Sequence, residues 1–502
     1  MTQMLESYTV YANKVLATVE IMHKPEEFVP VYNIIKPTIE RGTQLILDEI
    51  KERLIGELQI KVSELIDPSS IEELKKKFYT KSLQLISKFM PNMALEKREM
   101  LSGILINEML GLGDIEILLA DPNLEEIVVN SSKEPVWVYH KKYGWLKTNL
   151  FMKDEQQIQN YASSIGRKVG RQISILNPLL DAHLPTGDRV NATLFPISTF
   201  GNTITIRMFR RNPWTIPDLI MNNTCDYAIT SLLWLAIEYE MNAIISGGTG
   251  SGKTSFLNAL MFFIPPNHRI ISIEDTRELR LPDFLHWVPL TTREPNPEGK
   301  GEVDMLALLV NSLRMRPDRI VVGEIRKERQ AEVLFEAMHT GHSVYSTVHA
   351  DTAEQTYKRL TNPPINIPEP LLDSLDLAIV MFRDRRTGRR RVYQIAEFFP
   401  ESKEKVKILF AWNAAKDSFE RREKKFKFLD KIKMHTGMSD KEIAKTLKER
   451  EKVLKWMVKH RVTTVNGVGK IIAEYYLNPN NLIKIVEKNE KPEKIVPKEW
   501  LK

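Results

Sequence analysis

One segment of the chain prescribes a chemistry outright. GGTGSGKT, Gly247 to Thr254, fits the phosphate-loop pattern GxxxxGK followed by Ser or Thr. Gly247, Gly248, Gly250 and Gly252, with Thr249 and Ser251 between them, let successive backbone N–H groups turn inward around a β-phosphate. The dipole of the helix that follows adds to that attraction. Lys253 is placed to reach the β- and γ-phosphates and the Thr254 hydroxyl to coordinate Mg2+, with Ser255 closing the binding stretch. A glycine-rich turn without nucleotide is the plain alternative. Three further segments carry ionisable groups. IISIED, Ile270 to Asp275, is an apolar strand ending in Glu274 and Asp275. Carboxylates at the C-terminal end of a parallel strand lie beside a bound nucleotide, where they polarise a water or hold Mg2+ through water. RIVVGEIR, Arg319 to Arg326, brings Glu324 to the position of a Walker B acid, and TGHSVYSTVHAD, Thr340 to Asp351, sets His342 and His349 at opposite ends of one strand. A lone histidine in an apolar stretch is usually a core residue. Two bracketing a strand of this sheet are expected to sense or contact phosphate.

These residues need elements that bring their ends together. A buried helix to Tyr239 leads to the strand NAIISG, the glycine loop, a helix and the strand RIISIED. Then come the helix MLALLVNSLRM, the strand RIVVGEI, another helix and the strand HSVYSTVH. Such alternation predicts an α/β fold with a parallel sheet covered by helices. LAIVMFR and RVYQIAEF, joined by DRRTGR, predict a hairpin after it. Upstream, EEIVVN, VWVYH, RVNATLF and TITIRMF read as strands around a helix near Gln156 to Val169, an α+β domain. RRNPWTIPD, Arg210 to Asp218, reads as a linker. The first 90 residues read as helical: Leu47, Ile50, Leu54, Leu58, Val62 and Leu65 form one stripe, and DPSS from Asp67 caps a second helix with Ile71, Leu74 and Phe78. The expected division is 1–95 helical, 96–211 α+β, 212–220 linker, 221–400 P-loop domain and 401–502 a basic helical tail.

The 502 residues are 42% hydrophobic and 27% charged, the balance of a globular protein, which excludes collagen-like and largely disordered readings. One cysteine, Cys225, excludes an internal disulfide and a cysteine-based zinc or iron–sulfur site. No apolar run has the length of a membrane span, and the first residues lack the basic start and apolar stretch of a signal peptide, so an intracellular, soluble chain is expected. Residues 401–502 hold 26 Lys/Arg against 15 Asp/Glu, and the run RDRRTGRRR from Arg383 to Arg391 has six arginines in nine residues. A solvated surface accounts for both. Nucleic acid, an anionic membrane or an acidic partner is the functional alternative for the tail, and a cytoplasmic loop of a membrane protein or anionic lipid for the arginine run.

The order of GGTGSGKT, IISIED, LRMRPDRIVVGEIR and TGHSVYSTVHAD resembles the secretion-ATPase superfamily of type II and type IV secretion, whose Walker A, Asp, Walker B and His boxes they match. GLGDIEILLADPNLEEIVVN and LPTGDRVNAT agree, so the resemblance runs from about residue 100 to 400. EEFVPVYNIIKPTIE and KIIAEYYLNP resemble the archaeal branch, which powers archaellum rotation and assembly of type IV-like pili. The resemblance implies a RecA-like ATPase domain behind an α+β, PAS-like domain. It implies ATP and Mg2+ as ligands, a ring of six identical subunits, and a polytopic membrane platform protein as partner, at the inner face of the cell membrane. By resemblance Glu274 is the catalytic glutamate, Glu324 the Walker B acid and His349 the residue near the γ-phosphate. Thr254, Glu324 and Asp275 face the metal, and Arg189 and Arg207 come onto the nucleotide from the N-terminal domain. A DNA-translocating or conjugative ATPase is the alternative; no aromatic stacking series accompanies the basic run, so nucleic acid is not an expected partner. A non-hydrolysing scaffold is disfavoured by the intact set of Lys253, Glu274 and Glu324. The four-cysteine zinc element of many bacterial relatives is absent, which leaves Cys225 a structural reading.

Overall fold

In the computed structural model, which describes residues 2–57, 68–184, 187–208, 213–293, 295 and 299–501, the chain opens on strands rather than helices. β1 (Gln3–Ala12) and β2 (Val15–His23) form a hairpin, and β3 (Val31–Ile35) follows. Asn13 and Lys14 at the hairpin tip have φ of 47° and 70°, both left-handed, the geometry of a two-residue turn that matches strand twist. Val15, Ala17, Val19 and Ile21 are buried in alternation, a period of two where a helix needs 3.6. The expectation of a helical first 90 residues is thus corrected for residues 3–35.

The helical stripe begins later. α1 (Arg41–Glu57), α2 (Pro68–Phe89) and α3 (Leu95–Met109) bury Leu47, Ile50, Leu54, Leu74 and Phe78 with Leu101 and Leu105 in one cluster. Leu58, Val62, Leu65, Asp67 and the Ile71 side chain lie outside the described residues. After α4 (Ile115–Ala120) come β4 (Leu124–Val129), β5 (Pro135–His140), β6 (Gly144–Phe151), α5 (Glu155–Lys168), β7 (Leu179–His183), β8 (Arg189–Thr193) and β9 (Thr203–Arg207). One sheet in the order β1-β2-β3-β6-β5-β4-β9-β8-β7 contains them all, with β3 parallel to β6. No boundary therefore falls at residue 95, because strands on both sides of it share a sheet. The buried Asp121 accepts hydroxyl hydrogen bonds from Tyr8 at 2.7 Å and Tyr32 at 2.6 Å, tying the opening meander to the rest.

The chain divides into two compact units, Met1–Arg211 and Asn212–Lys502. Residues 210–212 of the expected linker lie outside the described residues, and its second half is not a linker. α6 (Ile216–Met221) buries Ile216, Pro217 and Leu219, with Asp218 accepting from the Thr215 N–H at 3.0 Å. The second unit continues through α7 (Tyr227–Glu238), β10 (Ala243–Gly247), α8 (Lys253–Met261), β11 (Ile270–Glu274), β12 (Trp287–Thr291) and α9 (Met305–Ser312). β13 (Arg319–Val322), α10 (Glu328–His339), β14 (Ser343–Val348), α11 (Ala353–Thr361), β15 (Leu377–Arg383) and β16 (Arg390–Phe398) follow. The sheet runs β12-β11-β13-β14-β10-β15 in parallel, and every residue of β10, β11, β13 and β14 is buried. Burial on both faces is why these strands read as unbroken apolar runs.

The tail is not purely helical. β16 is extended antiparallel by β17 (Val406–Asn413) and β18 (Ser418–Arg421). Then α12 (Lys427–Thr436), α13 (Asp440–Lys459), α14 (Val465–Leu477) and α15 (Pro479–Glu487) pack Val453, Met457, Ile471 and Leu482 into the core that holds Trp234 and Phe263. Arg450, buried beneath the rings of Trp234 and Tyr475, donates to Glu238. Cys225 is fully buried, and burial pushes its thiol up to about 12. Among the described residues no helix is long and apolar enough to cross a membrane.

Candidate nucleotide site

At the end of β10 the backbone enters conformations that favour glycine. Gly250 and Gly252 have φ of 72° and 92°, and α8 starts at Lys253 directly after the second of them. Inside the loop the Lys253 ammonium donates to the carbonyls of Gly247 at 2.9 Å and Gly248 at 3.0 Å, and lies 3.2 Å from His349 Nδ1. His349 Nε2 is 3.1 Å from Glu324 Oε1. The Arg326 guanidinium then spans Glu324 Oε2 at 2.7 Å and Asp275 Oδ2 at 3.0 Å. Parallel pairing of β11, β13, β14 and β10 brings their C-terminal ends together, so a line of polar contacts, Lys253–His349–Glu324–Arg326–Asp275, crosses the mouth of the loop. Burial lowers the pKa of both Lys253 and His349, with Lys253 adding to the effect on His349.

Glu274, at the end of β11, is buried. Its Oε1 accepts the backbone N–H groups of Glu278 at 2.9 Å and Leu279 at 3.0 Å, while Oε2 has no hydrogen-bond partner among the described residues. Burial pushes its carboxyl up to about 7. Ser251 Oγ is likewise buried without a partner there. These orphaned oxygens fit a site completed by polar atoms from a ligand, the serine by a phosphate oxygen and the glutamate by a water. Among the described residues no cluster of three or more His, Cys, Asp or Glu could hold a metal. Mg2+ keeps several waters and phosphate oxygens and takes only one or two protein groups. Thr254, in the first turn of α8, with Glu324 and Asp275 through water, would hold it.

His342 is not part of this site. It precedes β14, at the end opposite His349, where it lies 3.4 Å from the Thr340 hydroxyl. Six strand residues separate the two histidines, about 20 Å, so only one meets the loop. Arg189 and Arg207 belong to the first unit, opposite each other on β8 and β9; Arg189 pairs with Asp181 at 2.7 Å and Arg207 sits 4.0 Å from Glu126. Two further residues, Arg326 and Asp351, stand around the loop. Arg326 closes RIVVGEIR, and Asp351 closes TGHSVYSTVHAD and lies so near Gly248 that a Cβ there would be 2.8 Å from its Oδ1. Their place in the boxes was the available signal. The arginine run is not one solvated patch. Arg391 is buried on Asp417, Arg383 and Arg390 flank the loop, and Arg385, Arg386 and Arg389 are exposed at the tip.

Residues 109–383 match the family described as type II/IV secretion system protein. An uncharacterized protein of Methanocaldococcus jannaschii is 37% identical over 391 residues, covering 76% of this chain and 70% of that relative. A putative conjugal transfer protein of Mycobacterium tuberculosis is 30% identical over 326 residues, 62% of this chain and 91% of the relative. The type IV secretion system protein PtlH of Bordetella pertussis is 32% identical over 313 residues, 55% of this chain and 91% of the relative.

Proposed function

Because this chain belongs to the type II/IV secretion system protein family, we propose that it is a Mg2+-dependent ATP hydrolase. In this reading it acts as a homohexameric motor that drives assembly or rotation of an archaeal type IV pilus-like filament. The observation that carries the ATPase reading is the line from Lys253 through His349 to Glu324 across a glycine loop whose serine hydroxyl is an orphan. Loop amides and Lys253 bind the β- and γ-phosphates. Glu274, with one oxygen pinned and the other buried without a partner among the described residues, is the general base, and a carboxyl titrating near 7 is matched to that work at neutral pH. His349, between Lys253 and Glu324, reports whether a γ-phosphate competes for the lysine. Mg2+ when bound neutralises charge on the phosphates. Arg189 and Arg207 enter on the resemblance, as the charges that complete phosphoryl transfer.

The partner is a polytopic membrane protein of the filament platform, and the motor sits peripherally at the inner face of the cell membrane. The relative named for conjugal transfer favours a second reading, a conjugative or DNA-translocating ATPase. Steady-state hydrolysis of MgATP by the purified chain tests the proposal. Lys253→Ala should abolish turnover, Glu274→Gln should retain nucleotide binding and lose turnover, and the pair Arg189→Ala/Arg207→Ala should slow it. Wild-type turnover in Glu274→Gln would remove the glutamate from its role. Stimulation by DNA would turn the assignment to the second reading.

A further inference from the structure

The hairpin of β15 and β16 runs past the end of the strand that carries the phosphate loop. Gly247, the last residue of β10, pairs with Met381, so Phe382 and Arg383 continue beside the loop. Arg383 and Arg390 face each other in the antiparallel register. Arg390 Nε donates to the carbonyl oxygen of Gly250 at 3.0 Å. Two of the loop's positive-φ glycines back onto this pair: a Cβ on Gly250 would lie 2.7 Å from Arg383 Nη1, and one on Gly252 3.2 Å from Arg390 Cδ. The hairpin itself is anchored from the other side. Arg391 forks onto both oxygens of Asp417 at 2.7 Å and donates to the Asn222 carbonyl at 3.1 Å, and the Trp412 indole donates to Asp417 at 2.9 Å.

A trans peptide is planar, with its C=O and N–H pointing in opposite directions. Holding the Gly250 carbonyl on the hairpin side therefore sets the Ser251 N–H toward the inside of the loop, where it donates to the Gly248 carbonyl at 3.3 Å. Gly250 can rotate more freely than any other residue type, so a peptide held inside the loop by one long hydrogen bond gains a second hold from Arg390 on its other side. We propose that Arg390 is a positioning residue of the nucleotide site: it fixes the Gly250–Ser251 peptide so that the loop amides face a polyphosphate, and Arg383 places a second cation behind the same glycine. The ligand class is a nucleoside diphosphate or triphosphate. This inference rests on the reading of the loop as a nucleotide site. Because Arg390 acts on the loop and not on the terminal phosphate, its loss must weaken diphosphate and triphosphate alike.

The test is calorimetric titration of the full-length chain with MgADP and with a non-hydrolysable ATP analogue, beside steady-state kinetics. Arg390→Ala should weaken both ligands about tenfold, the scale of one charged hydrogen bond, and raise KM for ATP while kcat at saturation stays within about twofold. Arg390→Lys, which can still donate to the carbonyl, should recover most of the affinity, and Arg389→Ala at the exposed tip should change nothing. Ligand-free melting of Arg390→Ala should fall by no more than the loss of that one hydrogen bond, and Arg389→Ala should match wild type. Unchanged affinity in Arg390→Ala, a loss confined to the triphosphate, or a loss that Arg390→Lys does not recover would each overturn the inference. A wild-type chain that binds neither nucleotide would instead overturn the nucleotide-site reading, and this inference with it.

Discussion

Glu274 shows how far one residue's surroundings decide its chemistry. A carboxylate in water ionises near 4.5; here burial outweighs two backbone N–H donors and lifts the group to about 7. A folded-state pKa above the unfolded one means that the native state binds more protons through that interval. The associated stabilisation is complete below pH 4.5 and is lost as pH rises through about 7. A shift of this size corresponds to about 3 kcal/mol. Glu274→Gln should therefore differ from wild type in a pH-dependent way, gaining relative stability between pH 5 and pH 8 in urea unfolding. An identical difference at both pH values would mean that the carboxyl titrates normally. In turnover the same group predicts activity rising with pH through about 7, since only the ionised form accepts a proton from water.

At the scale of elements, the hairpin of β15 and β16 depends on the buried Arg391. The Arg391 guanidinium, helped by Trp412 and Asn223, holds the Asp417 carboxyl below the usual carboxylate range. That contribution is present above the ordinary carboxylate pKa and is lost as pH falls below it. Removing the acid leaves a buried guanidinium without its counter-charge, which typically costs about 3–5 kcal/mol. Asp417 is itself a third exposed, which favours the lower end of that range. Asp417→Ala should lower the thermal midpoint clearly, and a midpoint unchanged to within a degree would show the pair to be idle. In the opening meander, Tyr32→Phe removes one of two hydroxyls on Asp121 and should destabilise by about 1.5–3 kcal/mol in the same measurement.

For the whole molecule, the placement of residues 3–35 changes what a truncation means. A separate helical segment could be removed without harm. Three strands that form one end of a nine-stranded sheet, with β3 pairing β6, cannot. Deleting residues 1–90 strips Val19, Ile21, Tyr32 and Ile34 from their core, bares a strand edge at β6 and leaves Asp121 without its tyrosines. The product should aggregate or lose cooperative melting, as size-exclusion chromatography and calorimetry would show; a soluble, sharply melting product would mean that the remaining strands suffice. The ring proposed above belongs to this scale too. ATPase rate per subunit should rise with protein concentration until rings saturate, and a dilution-independent rate from a monomer would dismiss the ring.

The phosphate loop was legible because its function constrains a few consecutive residues: left-handed glycines, a lysine and a hydroxyl must follow one another on a single turn. The parallel strands were legible for a similar reason, since burial on both faces leaves continuous apolar runs such as Ile270 to Ile273. The opening strands are not legible in the sequence because β1 carries polar residues along much of its length, QMLESYTVYA, beside a helical stripe that begins only at Leu47. Nor could spacing tell which histidine meets the loop. His342 and His349 stand seven positions apart in one box, and only the parallel register places His349 beside Lys253. The arginine run was one patch in the sequence, yet it divides into a buried anchor, a pair at the loop and an exposed tip. That division rests on contacts such as Arg390 with Gly250, 140 positions apart, whose energy depends on distances that neither segment encodes locally. Local backbone geometry can be written into neighbouring residues; the pairing of remote ones exists only once the sheet has formed.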